Sequence, residues 1–156
     1  NKNSFDKKSM LFLDKILSFE MKISNKPIKE KKEMTGIHGD LAIYHAPFTS
    51  NNELYLYDFD NRCWGLPEKE IAIFLCSLWQ SSDLTYPRLL EIRNLFCESY
   101  EKYTKYSFEI DTIDREILKR LRSSISYLLK VSSRHLSFES LSWINRAMQL
   151  YKLIYD

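Results

Sequence analysis

Apolar and polar positions alternate along this chain in three distinct ways. Across residues 5–19, Met10, Leu11, Leu13 and Leu17 recur at steps of three and four, which predicts an amphipathic helix. Pro27 then ends any helix, and residues 24–33 read as a solvated loop or short helix whose lysines are offset by glutamates. Residues 34–66 have strand and turn chemistry instead. Ala42-Ile43-Tyr44 and Glu53-Leu54-Tyr55-Leu56-Tyr57 are short runs of β-formers, and Thr49-Ser50-Asn51-Asn52 supplies a turn between them. A β-hairpin over residues 43–57 is the simplest expectation.

From Pro67 onward the helical period returns. Pro67 suits a first turn, with Glu68 and Glu70 near the positive end of the helix dipole. Four helices are expected. The first carries Ile71, Phe74, Leu75, Leu78 and Trp79 as its buried stripe. The second, opened by Tyr86-Pro87, carries Leu89, Ile92, Leu95, Phe96 and Tyr100 and runs to about Tyr106. The third begins near Thr112 and carries Ile113, Ile117, Leu121, Ile125, Leu128 and Leu129. The fourth, after Ser137, carries Leu141, Ile144, Met148, Tyr151 and Leu153. The fold class this defines is α+β, mainly α.

Composition narrows the picture. The chain has 156 residues, 44% apolar and 28% charged, as for an ordinary globular domain. No apolar run approaches the roughly 20 residues that cross a bilayer, and the N-terminal residues lack a signal-peptide layout. A cytoplasmic location without membrane association is therefore expected. A net charge of +2 gives no argument for a nucleic-acid partner. Cys63, Cys76 and Cys97 have neither CxxC spacing nor an even count, so reduced and mostly buried thiols are expected. The three glycines, Gly36, Gly39 and Gly65, all lie in the strand-and-turn region. Unusual backbone geometry is thus expected there.

That region also holds the candidate chemistry. Asp40 follows His38-Gly39, and Asp58-Phe59-Asp60 follows the second apolar run 18 positions later. Phosphoryl transfer uses such a pair, one carboxylate to orient the attacking hydroxyl and another to hold magnesium against the nucleotide phosphates. Aspartate is equally at home as a turn or cap residue, so each motif alone also has that structural reading.

His38-Gly39-Asp40-Leu41 resembles the HGDL catalytic loop of the aminoglycoside phosphotransferase and choline kinase-like family, within the protein-kinase-like superfamily. Tyr57-Asp58-Phe59-Asp60 resembles that family's metal-binding segment. Gly65-Leu66-Pro67-Glu68-Lys69-Glu70-Ile71-Ala72 is similar to its G-D-P-x-x-D-L-A run, and Phe96-Cys97-Glu98-Ser99-Tyr100-Glu101 to a later helix. The resemblance implies a single helical C-terminal lobe over residues 1–156, with a short β-hairpin carrying both motifs. It implies Mg2+ and ATP as cofactors, with a nucleotide and a small-molecule hydroxyl acceptor, such as an aminoglycoside or amino alcohol, as partners. Asp40 would be the catalytic base or the group that orients the acceptor, and Asp58 the magnesium ligand. His38 would brace the loop, while Glu70, in place of the family's Asp, would keep a structural role. Asp60 would support the metal indirectly or stand as a solvated turn residue.

Two departures qualify the resemblance. His45 stands where the family has Asn, a second oxygen donor to the metal; it is either a substitute ligand or an ordinary packed histidine. The residues before His38 contain no glycine-rich loop, so the N-terminal nucleotide-clamping lobe is expected to be absent from this chain, and this piece alone is not expected to be active. The rival to an enzyme is a catalytically inactive, pseudokinase-like or regulatory binding module.

Two other classes fit less well. A haloacid-dehalogenase-type phosphatase would use Asp58 as nucleophile and Asp60 as acid/base, yet Arg62 breaks its motif and no βαβ units follow. A calcineurin-like phosphoesterase needs more than three histidines. Acceptor choice would fall to residues beyond Leu84. There Glu91, Glu98, Glu101, Glu109, Asp111 and Asp114 are interleaved with Arg93, Lys102, Lys105 and Arg115, which reads as a solvated mixed-charge face.

Overall fold

The computed structural model describes residues 11, 14, 34–131 and 137–155. The loop expected over residues 24–33 lies outside the described residues, as does the helix expected over 5–19 apart from Leu11 and Asp14, which are helical. In order come strand β1 (Thr35–Ile37), a 3-10 turn (Ile43–His45), a second 3-10 turn (Phe59–Asn61) and strand β2 (Cys63–Gly65). Helices α1 (Pro67–Ser81), α2 (Tyr86–Thr104), α3 (Ile110–Val131) and α4 (Phe138–Tyr155) follow. The described chain is mainly helical with one small sheet, as its periodicities predict.

The described residues form two compact units, divided within α3 between Ile117 and Leu118. In the unit that ends at Ile117, α1 packs against β1, the first 3-10 turn and α2. Its core gathers Ile37, Ile71, Leu75, Trp79, Leu89 and Ile113, all buried. Burying a side chain such as Ile71 or Leu75 contributes about 1.5–3 kcal/mol. α1 starts as expected, with Pro67 where no backbone donor is needed. α2 ends at Thr104 because Lys105 turns left-handed at φ 58. In the other unit Leu118, Leu121, Ile125, Ile144, Ala147, Leu150 and Tyr151 are buried.

Among the described residues, Leu11, Leu95 and Leu153 were expected on buried faces and are exposed instead. Leu95 stands about 120° around α2 from Leu89, and Leu153 about 180° around α4 from Ile144, at 3.6 residues per turn. Both angles put them off the buried side. Cys63 is likewise exposed, while Cys76 and Cys97 are buried.

The expected hairpin needs correction. Ala42, Ile43 and Tyr44 do not form a strand: His45 N–H reaches back to the Ala42 carbonyl at 2.9 Å, coiling Ile43–His45 into a 3-10 turn. Ser77 Oγ, itself donating to the Phe74 carbonyl, accepts the Ile43 N–H at 2.8 Å. Antiparallel pairing survives further on. Tyr57 N–H donates to His45 O (3.2 Å), Tyr55 N–H to Pro47 O (3.0 Å) and Thr49 N–H to Glu53 O (2.9 Å), around a Phe48–Leu54 bridge. Pro47 has no N–H to give, which interrupts the ladder. Thr49 to Asn52 makes the expected turn, closed by Asn52 N–H to Thr49 O at 3.0 Å with Asn52 at φ 59.

The sheet lies outside that hairpin, where no strand was anticipated. β1 and β2 run antiparallel, pairing Thr35 with Gly65, Gly36 with Trp64 and Ile37 with Cys63. A Cβ at Gly65 would stand 2.5 Å from Ile37 Cδ1, so a larger residue there would have to displace that side chain. This pairing has a direct consequence for the two acidic motifs. β1 leads into His38 and β2 follows Arg62, so both motifs emerge side by side at the same end of the ribbon.

Candidate functional site

Gly39 shows how closely the two motifs approach. Its φ is +83, and a Cβ built on it would lie 2.0 Å from the Asn61 carbonyl oxygen. Only glycine fits both the dihedral and the space. The His38-Gly39-Asp40 loop is therefore seated on the backbone of the Asp58-to-Asn61 segment.

Glu70, in the first turn of α1, secures the loop from the other side. Its carboxylate accepts His38 N–H at 3.0 Å through Oε2 and Gly39 N–H at 2.8 Å through Oε1. Two backbone amides on one carboxylate are charge-assisted bonds, stronger than neutral pairs. Glu70 is therefore structural, as expected, but it caps the loop 31 and 32 residues earlier in the chain rather than only its own helix.

His38 is buried, and its Nε2–H donates to the Tyr57 carbonyl at 2.8 Å. Its Nδ1 is buried without a hydrogen-bond partner, and its ring lies 4.5 Å from that of Phe59. Both contacts tie the first motif to the second.

His45 is the central finding. It is buried, its Nδ1 lies 2.8 Å from the Asp40 carbonyl oxygen, and its Nε2 lies 3.2 Å from Asp58 Oδ2. The ring thus bridges the two motifs. Carbonyl and carboxylate oxygens only accept, so both contacts are hydrogen bonds together when each ring nitrogen carries a proton. Tyr44 meets the ring edge-on at 4.4 Å, Tyr57 at 5.5 Å, and His38 stacks at 5.9 Å.

Asp58 itself sits at φ 64, ψ 57, a left-handed conformation that costs a non-glycine residue of order 1 kcal/mol or more. Strain of this kind is found where a side chain must be aimed. Its side chain remains 42% exposed, and Oδ1 has no hydrogen bond or ion pair among the described residues. Asp40 is half-buried. Asp60 is exposed, in the second 3-10 turn, with no hydrogen bond or ion pair among the described residues.

Among the described residues no group of three or more His, Cys, Asp or Glu side chains is arranged to hold a metal ion. Magnesium needs less from a protein: one or two carboxylates suffice when phosphates and water complete its shell. Asp58 Oδ1 fits that requirement for one ion. Position 45 holds an imidazole in place of the oxygen donor that the resemblance implies.

Large apolar side chains between residues 44 and 64 stay in contact with solvent. Tyr44, Phe48, Leu54, Leu56, Tyr57, Phe59 and Trp64 are all exposed, Trp64 to 73%. The acidic residues beyond Leu84 are mostly exposed, as a solvated mixed-charge face would be, with Glu109 and Asp114 half-buried. Glu91 pairs with Arg88 at 2.6 Å, Glu101 accepts Phe108 N–H at 2.9 Å, and Asp114 meets Arg93 at 3.5 Å. Burial pushes the Asp114 carboxyl up from its ordinary range, against the pull of Arg93. Burial also raises the Cys97 thiol to about 11 and Tyr86 above its usual value. Tyr106 is raised by burial and by its hydrogen bond to fully buried Glu68, at 2.6 Å. None of these four groups belongs to the cluster around His45.

Asp40 and Asp58 lie on the two segments that meet where Gly39 approaches Asn61, whereas the Glu70 clamp and the Ser77 support had no local signal in the sequence. No protein-family model matches the chain, and searches of curated proteins and of solved structures give no match.

Proposed function

We propose that this chain is the catalytic-loop lobe of an ATP-dependent phosphotransferase that acts on a hydroxyl of a small molecule, such as an aminoglycoside or amino alcohol. The observation that carries this reading is the seating of the Asp40 loop on the Asp58 segment, with Gly39 against Asn61 and His45 between the two aspartates. Two carboxylate motifs 18 positions apart are held together by the approach of Gly39 to Asn61 and by the His45 ring.

In this reading Asp40 orients the acceptor hydroxyl and takes its proton as the phosphoryl group is transferred. Glu70 and His38 hold the loop so that Asp40 need not reorganise during the reaction. Asp58 Oδ1 would hold a magnesium ion, which when bound supplies positive charge to the nucleotide phosphate oxygens. Phe48, Leu54, Leu56 and Trp64, large apolar side chains left exposed, are available to be covered by a nucleotide-clamping lobe.

Substitution separates the two roles in the full-length gene product. Asp58→Ala is expected to abolish magnesium-dependent ATP binding. Asp40→Ala should spare that binding and lower turnover by about 10²–10⁴-fold, the usual contribution of a positioned base. Undiminished turnover in Asp40→Ala would overturn the assignment. The contact between His45 and Asp58 also favours a second reading, a catalytically inactive binding module whose metal ligand is already occupied. Nucleotide binding without turnover in the unmodified protein would select it.

A further inference from the structure

The net charge of +2 conceals a separation of charge along the chain. Residues 30–117 hold 9 Lys and Arg against 16 Asp and Glu, a formal charge of −7. Residues 118–156 hold 7 against 2, or +5, and residues 1–29 hold 7 against 3, or +4. The sign changes where the two compact units divide, between Ile117 and Leu118. These totals count every acid of each segment, so ion pairs within a segment leave them unaltered. A cationic excess of this size on one part of a chain is the electrostatic footprint of a polyanionic partner.

Helix α3 carries a surface of this kind. Arg122, Ser126, Lys119, Lys130, Ser123 and Tyr127 follow one another around an arc of about 140° at 3.6 residues per turn. Lys119, Ser123, Ser126, Tyr127 and Lys130 are exposed, Tyr127 to 64%, and Arg122 is half-buried. Leu118, Leu121 and Ile125 fall on the other side of the helix and are buried. Between Glu116 and Glu139 the sequence has no acidic residue.

We propose that this face of α3 binds single-stranded nucleic acid. Lys119, Arg122 and Lys130 meet the phosphates, the Ser123 and Ser126 hydroxyls donate to phosphate oxygens, and a base stacks on the Tyr127 ring. Bases in a duplex are already stacked on each other, so the ring favours a single strand. A lipid surface matches the same charge less well. An interfacial helix lays an apolar face into the headgroups. Here Leu118, Leu121 and Ile125 are buried within their own unit, and Tyr127 alone is a large apolar side chain exposed on α3 beyond Ile117, among the described residues.

Fluorescence anisotropy tests this, with labelled oligothymidylate and oligouridylate of about 20 nucleotides, longer than a usual single site, and the full-length gene product at several salt concentrations. Saturable binding is expected, with log affinity falling against log salt by about 0.7 per phosphate contact. Replacing Lys119 and Lys130 together by Gln is expected to reduce that slope by about 1.4. Tyr127→Ala should weaken binding by about 5–150-fold and leave the slope unchanged, while Tyr127→Phe retains full affinity. Melting curves verify that each variant is folded. No binding of either oligonucleotide, an unaltered slope in the double lysine variant, unaltered affinity in Tyr127→Ala, or capture by phosphatidylserine vesicles alone would overturn the proposal. The phosphotransferase reading is tested separately, since none of these residues belongs to the Asp40 and Asp58 motifs.

Discussion

Single residues in this protein carry demands that their neighbours cannot share. Gly39 must take φ +83 with the Asn61 carbonyl where its Cβ would be, whereas Gly36 has nothing within 4 Å of the equivalent position. Gly39→Ala is expected to destabilise the fold by about 2–3 kcal/mol, at the severe end of ordinary substitutions. Gly36→Ala, in a strand where alanine fits, should change stability by less than about 1 kcal/mol. Urea denaturation of the two variants checks the contrast, and equal losses would show that the loop can move off Asn61. Glu70 makes a comparable demand, since two amides depend on it. Glu70→Ala is expected to cost about 2–4 kcal/mol, because charge-assisted bonds contribute roughly 1.5–3 kcal/mol each and the loss is partly relieved by water. Glu70→Gln should recover part of this, through the one acceptor oxygen it retains.

At the scale of elements, legibility from sequence followed the strength of local pattern. The helices announced themselves through period and through Pro67 and Tyr86-Pro87, and α1 to α4 lie where these signals put them. Leu95 and Leu153 were misplaced because apolar identity alone does not say on which side of a helix a residue stands. The strands were harder. Thr35–Ile37 and Cys63–Gly65 have three residues each, too few for an alternating pattern, and their pairing joins segments some thirty residues apart. The run Ala42-Ile43-Tyr44 had strand propensity, yet Ser77 captured its first amide and the chain coiled instead. The candidate site divides similarly. Asp40 and Asp58 were visible as motifs, and position 45 was visible as a departure. What His45 touches depends on that 3-10 turn, so no local pattern revealed it.

At the scale of the whole molecule, buried acids set the response to pH. The thiol of Cys97 is raised from 9.0 to about 11, mainly by burial, so the folded state favours its protonated form. A group raised on folding contributes stability that is complete below its unfolded value and is lost as pH climbs through the folded one. Cys97 therefore weakens the fold progressively between pH 9.0 and about 11. Tyr86 and Tyr106, both raised above 10.0, act in the same direction above pH 10.0. Melting temperature should fall steeply over this alkaline range, and Cys97→Ser should flatten its first part. Asp114, also raised, works the same way in acid: its contribution is complete below 3.8 and declines as pH rises through its folded value. A melting temperature independent of pH between 9 and 11 would contradict this description of the core around Cys97.

The central claim, that Asp40 and Asp58 form one nucleotide-using site, is tested most directly by calorimetric titration of ATP into the full-length gene product with and without magnesium. Saturable binding is expected that needs magnesium, disappears on chelation and raises the melting temperature, with stabilisation of about 2.7 kcal/mol when ligand reaches about 100 times Kd. Binding that ignores magnesium, or no binding at all, would contradict it.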